Sequence, residues 1–319
     1  MKRDIKIAQT GGNWSTNIGN AFINLGSIHA LKEAAPDSET QLFSNFSTWL
    51  FRTVNKSPVG FLLRKDGDIK PVFDLVGAAK IDFLVSSGAI LTATQDLRSK
   101  KISQKLRSKG VKRIINGGGP QEGQYEEKKI EKIRDNLAQM KLYAFISRDE
   151  ISFKNFHDLA EHSYNGIDCG FFVNDYFTPF QLEYPEFVIF NFDSITEPKI
   201  KVDKEIIRTH HASVSIKSIK KYLTARKKYF GSSNTLISDI PEDYLTLYAN
   251  TKATYSDRVH ACVATLAYGH PAQLYGTTPR SLLFDRIGLP DIRDEVVYPD
   301  LKRLNKEKEK QAEFLSSIL

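Results

Sequence analysis

The sequence predicts an α/β protein in which two parallel-sheet domains face one another across a cleft. Three observations predict it. Short β-branched runs alternate with helical runs through the first half. The alternation breaks between about residues 166 and 185, where several turn formers interrupt any helical period, and then resumes. A length of 319 residues also suits two domains of roughly 100–200 residues each. The expected division is 1–170 and 171–319, with a terminal helix closing the second domain.

Taken in order, IKIAQT (5–10) reads as the first strand, followed by a Gly/Ser/Asn loop and a helix over 21–34. TQLFSN (40–45), IDFLVSSG (81–88), VKRIING (111–117) and LYAFIS (142–147) read as further strands. SKKISQKLRSKG (99–110) and QYEEKKIEKIRDNLAQM (124–140) carry apolar residues at helical spacing between the last three. The stretch 45–70 fits neither period. Beyond the break, FVIFNF (187–192), TLISDI (235–240), ATYSD (253–257) and AQLYG (272–276) read as strands. Helices are expected over 215–229, 241–249 and 259–269, and over the charged tail 301–319.

Hydrophobic residues make up 41% of the chain and charged ones 26%, which excludes global disorder. No apolar run reaches the roughly 18 residues of a membrane span. The N-terminus has no signal-peptide pattern. Two cysteines, Cys169 and Cys262, exclude a disulfide scaffold, so a reducing cytoplasmic compartment is expected. The net charge of +7 calls for anionic company. Much of it sits between Lys217 and Lys228 and between Arg98 and Arg113, where solvated helix faces are the first reading. No helix-turn-helix, RNP or zinc-finger pattern accompanies the charge, so nucleic acid is not expected. An anionic membrane surface and a phosphorylated substrate both stay open.

Ligands of such sheets bind at the carboxyl ends of the strands, beside helix N-termini. Four segments fall there. The loop containing Asn17, Gly19 and Asn20 could admit an anion or could be an ordinary capped turn. Gly117, Gly118 and Gly119 allow either close approach of a ligand or tight packing. Arg148 could meet a carboxylate or phosphate with its fork, or sit in a structural salt bridge. Arg258 and His260 form an Arg-x-His ahead of an apolar helix; there Arg258 could hold an anion while His260 delivers a proton. A hydrogen-bonded structural histidine is the competing reading. The adjacent His210 and His211 make a poor chelate, and no metal-binding spacing is present. Cys262, inside an apolar helix, reads as an inert thiol.

The order of these segments resembles the polysaccharide pyruvyl transferase family. Asn17-Ile18-Gly19-Asn20 is similar to its N-x-G-D opening, SGAILTATQD and NGGGP to its two glycine segments, and SRDEIS to its R-D-x-x-S element. The downstream segment 257–289 resembles its closing R-x-H-x-x-x-x-A-x-x-x-G-x-P block and terminal G-L. The chain departs from the pattern at Asn20, where Asp is common, and at Ser86–Ala89, which is poorer in glycine.

The resemblance implies a GT-B-like pair of Rossmann-like domains and transfer of pyruvate from phosphoenolpyruvate onto a sugar, as a cyclic ketal, with release of phosphate. It implies Arg258 and His260 as the catalytic pair, with Arg148, Arg280, Asn17, Gly19, Asn20, Gly118 and Gly119 binding substrate. Arg280 stands where the family usually has lysine. No cofactor or metal is implied. The implied partners are phosphoenolpyruvate and a sugar or lipid-linked oligosaccharide acceptor; a lipid-linked acceptor would place the protein at the inner face of the membrane. Two other classes share the features. One is a GT-B glycosyltransferase using a nucleotide sugar, although no Glu-x7-Glu pair follows Gly269. The other is a non-catalytic sugar- or polyanion-binding protein.

Overall fold

The computed structural model describes residues 5–11, 14, 17–44, 75–93, 97–211 and 234–319. The helix expected over 215–229, the basic run from Lys217 to Lys228 and the whole of the 45–70 stretch lie outside the described residues.

In the first half, β1 (Lys6–Gly11), α1 (Gly19–Ala34), β2 (Glu39–Ser44), α2 (Leu75–Ala78), β3 (Phe83–Leu91) and α3 (Leu97–Ser108) alternate. They are followed by β4 (Lys112–Pro120), α4 (Glu127–Met140), β5 (Leu142–Ser147), α5 (Glu150–Phe156) and β6 (Ala160–Asn165). The six strands form one parallel sheet in the order β2-β1-β3-β4-β5-β6. Helices cover both faces, so the inner strands are buried almost without alternation: every residue of β4 from Ile114 to Pro120 is buried. On α3, Leu106 is buried while Lys105 and Arg107 are exposed, the solvated face expected of that basic run.

The second half begins with a 3-10 turn (Cys169–Phe172) and the short helix α6 (Val173–Tyr176). Then come β7 (Phe187–Asn191), β8 (Glu205–Thr209), β9 (Thr235–Leu236), α7 (Pro241–Asn250), β10 (Thr254–Ser256), α8 (Val259–Ala267), β11 (Ala272–Leu274) and α9 (Leu301–Ile318). The five strands form a second parallel sheet, β11-β10-β7-β8-β9. The fold is therefore α/β with two Rossmann-like domains, as expected. Two strands differ from expectation. Neither β6, which runs through His162, nor β8 (EIIRT) is among the strands expected from the sequence. Both are partly exposed strands with few fully buried residues, and neither carries a continuous buried apolar run.

One apolar cluster runs between the sheets. It joins Phe22 and Leu25 of α1 to Phe171 and Phe172, to Val263 and Leu266 of α8, and to Leu315 of α9. The terminal helix returns to the N-terminal half through polar contacts as well. Gln311 accepts from Ile167 N at 2.7 Å and donates to Asn116 Oδ1 at 2.9 Å, and Tyr143 donates to the Ile318 carbonyl. Among the described residues no helix is long and apolar enough to cross a membrane.

Candidate functional site

In the N-terminal sheet the strand order reverses between β1 and β3, and in the C-terminal sheet between β7 and β10. Reversal leaves a crevice at the carboxyl ends of those strands. Arg148 directly follows β5, His210 and His211 follow β8, and Arg258 follows β10, so the chemistry-bearing side chains collect on the sheets' carboxyl edges.

Arg148 is fully buried. Its Nη1 donates to Asp168 Oδ2 at 3.2 Å and its Nη2 to the Pro120 carbonyl at 3.2 Å, while Nε finds no hydrogen-bond partner. The same Asp168 oxygen lies 3.5 Å from His260 Nε2, a contact across the two halves and longer than a hydrogen bond. Asp168 Oδ1 accepts from Gly170 N at 2.8 Å and so caps the 3-10 turn. Burial pushes the Asp168 carboxyl up, but His260, Arg148 and the Gly170 N–H more than reverse this and hold it at about 2. Burial lowers the proton affinity of His260, and Asp168 restores only part of it against Arg148 and Arg280.

Arg258 sits at the N-cap position of α8, its N–H donating to Ser256 Oγ at 2.8 Å. Its Nε lies 3.4 Å from Asp193 Oδ2, and its side chain is 19% exposed. Asp193 Oδ1 pairs with His210 Nδ1 at 2.8 Å, and Oδ2 accepts from His211 N at 2.9 Å. His211 Nε2 meets the Tyr248 hydroxyl at 2.6 Å while its buried Nδ1 has no partner. Burial pushes His211 down to about 3, so it is neutral at pH 7. Arg280, on the turn Pro279–Leu283, pairs through Nε with Glu122 at 2.9 Å. Burial lowers its proton affinity, and Arg148 and Arg258 both act on it in the same direction. Arg280 therefore lies within electrostatic range of both Arg148 and Arg258, and the three like charges raise the local positive potential.

The glycine segments hold the site's walls close. A Cβ on Gly119 would stand 2.6 Å from Arg148 Nε and 3.0 Å from Asp149 Oδ2, so the arginine lies against this backbone because glycine is there. Gly118 accepts from Arg148 N at 3.2 Å. Gly19 opens α1 against the histidines: a Cβ there would be 3.0 Å from His260 Cβ and 3.3 Å from His211 Nδ1. Asn17 forms a local turn ahead of that helix, accepting from Gly19 N at 3.3 Å and donating to Asn20 Oδ1 at 3.4 Å. Arg148, for which an anion grip and a structural salt bridge are the two readings of the sequence, makes a buried salt bridge with Asp168. Cys262 is buried, and burial raises its thiol well above the usual range.

Sequence reasoning missed Asp168, Asp193 and Tyr248, and weighed His211 only as a metal ligand. Asp168 lay in the presumed linker, where NGIDCGFF carries no period; the only signal was an aspartate two residues before a glycine at a turn. Asp193 follows the end of β7, a position that the strand-edge rule would have flagged.

Among solved structures, the fold is similar to S. aureus MnaA, a co-structure with UDP, at a TM-score of 0.53 and 9% identity over 98% of this chain and 90% of that one. A UDP-N-acetylglucosamine 2-epimerase from Listeria monocytogenes, itself described as putative in function, gives a TM-score of 0.52 at 10% identity, covering 99% and 92%. These likenesses establish the GT-B-like fold. No protein of curated function matches the sequence. The sequence pattern of the polysaccharide pyruvyl transferase family matches residues 17–273, a span that holds every candidate residue but Arg280, and the chain belongs to that family.

Proposed function

We propose that the protein transfers pyruvate from phosphoenolpyruvate to two hydroxyls of one sugar in a cell-surface or exported polysaccharide. The observation that supports this best is that two partly exposed guanidinium groups, Arg258 and Arg280, lie within electrostatic range of one another, and Arg280 within range of His260 where it meets Asp168. Phosphoenolpyruvate carries a phosphate and a carboxylate, and guanidinium forks suit both. Arg258 anchors the departing phosphate and Arg280 the carboxylate. Addition of the first hydroxyl to C2 is completed by a proton from His260 to the methylene carbon, which becomes the methyl group. The second hydroxyl then displaces phosphate from C2. Of the two hydroxyl protons, one re-protonates His260 and the other leaves with phosphate, so the reaction balances without any redox partner.

A nucleotide-sugar glycosyltransferase is the second reading, favoured by the likeness to a UDP-bound structure. Against it stands Asp257. Its carboxylate accepts from the backbone N–H groups of Asp193, Ser194 and Ile195 at 3.0, 2.6 and 2.8 Å. Successive backbone N–H groups of this kind cradle phosphates. Here, at the switch point of the C-terminal sheet, a side chain already fills them. Thermal unfolding with phosphoenolpyruvate, UDP-sugars and GDP-sugars tests the choice. A ligand at about a hundred times its Kd stabilises by about 2.7 kcal/mol, a shift of several degrees. A phosphoenolpyruvate shift that disappears in Arg258→Ala supports the proposal; a shift with a nucleotide sugar alone overturns it.

A further inference from the structure

Asp168 is held more firmly than its position in a connecting segment requires. The Ile167 N–H is tied to Gln311 Oε1 at 2.7 Å, the Gly170 N–H to Asp168 Oδ1 at 2.8 Å, and the Phe171 N–H to the Asp168 carbonyl at 3.1 Å. Arg148 binds Oδ2 from behind, with Gly119 making room for its side chain. A group whose support comes from several elements has one orientation, which is the condition for aiming a neighbour. What Oδ2 faces, besides Arg148, is Nε2 of His260, across the junction of the two halves.

Buried Arg–Asp pairs are not in themselves a source of stability, because desolvation offsets their attraction. This one has a further consequence: it brings a carboxylate to an imidazole with no hydrogen bond of its own at Nε2. Catalytic hydrogen bonds are often long in the free enzyme and tighten with substrate, and 3.5 Å suits that behaviour. We propose that Asp168 is a positioning residue for His260: its carboxylate, fixed by Arg148 and Gly170, holds the imidazole through Nε2 and keeps it able to carry a proton, leaving Nδ1 to serve the reacting atoms. This deepens the proposed pyruvyl transfer and rests on that reading only for the identity of the reaction.

The charged and titratable groups acting on His260 come from four elements. Arg148 after β5 and Arg280 on the turn Pro279–Leu283 oppose a proton there, as does burial. His211 after β8 is neutral, with burial holding it at about 3. Asp168, 3.5 Å from Nε2, is the leading influence that favours the proton, so its removal is expected to lower the proton affinity of His260 further.

The experiment is an NMR titration of the His260 ring nitrogens in the full chain, without substrate, with His260→Gln identifying the signal. In Asp168→Asn the titration midpoint is expected to fall by about one pH unit or more, the usual scale for a lost carboxylate at this range. The basic limb of kcat moves to lower pH with it, while KM for phosphoenolpyruvate changes little. Asp168→Asn strands a buried Arg148, so the double variant Arg148→Met/Asp168→Asn supplies a neutral pair, and its midpoint is also expected below that of the unaltered protein. An unmoved midpoint in either folded variant overturns the proposal. Because the titration needs no substrate, a clear shift without phosphoenolpyruvate turnover would remove the reading of the reaction and leave the role of Asp168 standing.

Discussion

Two aspartate–histidine pairs lie at the carboxyl edges of the strands, and they are built differently. Asp193 and His210 both come from the C-terminal domain and meet at 2.8 Å; the second oxygen of Asp193 is taken by His211 N and approached by Arg258. Asp168 and His260 come from opposite sides of the junction, sit 3.5 Å apart, and leave Nε2 without a hydrogen bond. The same two residue types therefore do different jobs. A short pair inside one domain fixes the loops after β7 and β8. A longer pair across the junction leaves an imidazole nitrogen uncommitted, which is what the proposed acid requires.

The comparison can be broken by substitution. His260→Ala is expected to lower turnover by roughly 10²–10⁴-fold, the scale of a positioned general acid, with little change in the unfolding midpoint. Steady-state kinetics beside thermal unfolding would show it; a near-normal rate would make His260 the structural histidine. Asp193→Ala is expected to behave the other way. It removes the acceptor of the His211 N–H and the carboxylate beside His210 and Arg258, a loss of about 1–3 kcal/mol on the scale of a buried polar group left unsatisfied. Denaturant unfolding measures that loss. If Asp193→Ala folds normally and only turnover falls, the two pairs are alike after all.

How much of this was legible beforehand follows from the same contrast. Arg258 and His260 could be read because an Arg-x-His ahead of the wholly buried helix α8 has few structural uses. The two sheets could be read from their inner strands, whose apolar runs are continuous because both faces are covered. Asp168 could not. Its partners Arg148, His260 and Gln311 are distant in sequence, and no local pattern marks a carboxylate whose role depends on three other elements. Arg148 was legible as a special residue but not as a sealed one, since burial depends on the glycines of β4 and on the turn that carries Asp168.

Acid sharpens the contrast through the buried histidines. His211 is held at about 3 by burial, below its ordinary value of 6.5. The unfolded chain then binds the extra proton between those values, so stability is complete above about pH 6.5 and falls as pH drops. The slope from this one group approaches about 1.4 kcal/mol per pH unit. His260, lowered by burial as well, adds to the slope in the same window. Urea unfolding between pH 7 and 5 is expected to show the fall, and His211→Asn to flatten it. An equal slope in that variant would assign the effect to other groups.

The smallest expected effect concerns the rim. Glu122, half-exposed on the loop after β4, accepts from Arg280 Nε at 2.9 Å and from Thr278 Oγ1 at 2.6 Å, and so joins the two halves in front of the buried pair. Exposed ion pairs contribute about 0.2–1 kcal/mol, so Glu122→Gln should scarcely move the unfolding midpoint. Its effect on substrate has a definite sign. Glu122 neutralises part of the charge Arg280 offers an anion, so Glu122→Gln should lower KM for phosphoenolpyruvate by a factor of about 1.4–5, the same free energy expressed as binding. A raised KM would mean that Glu122 aims Arg280 and that the rim, like the interior, works by positioning.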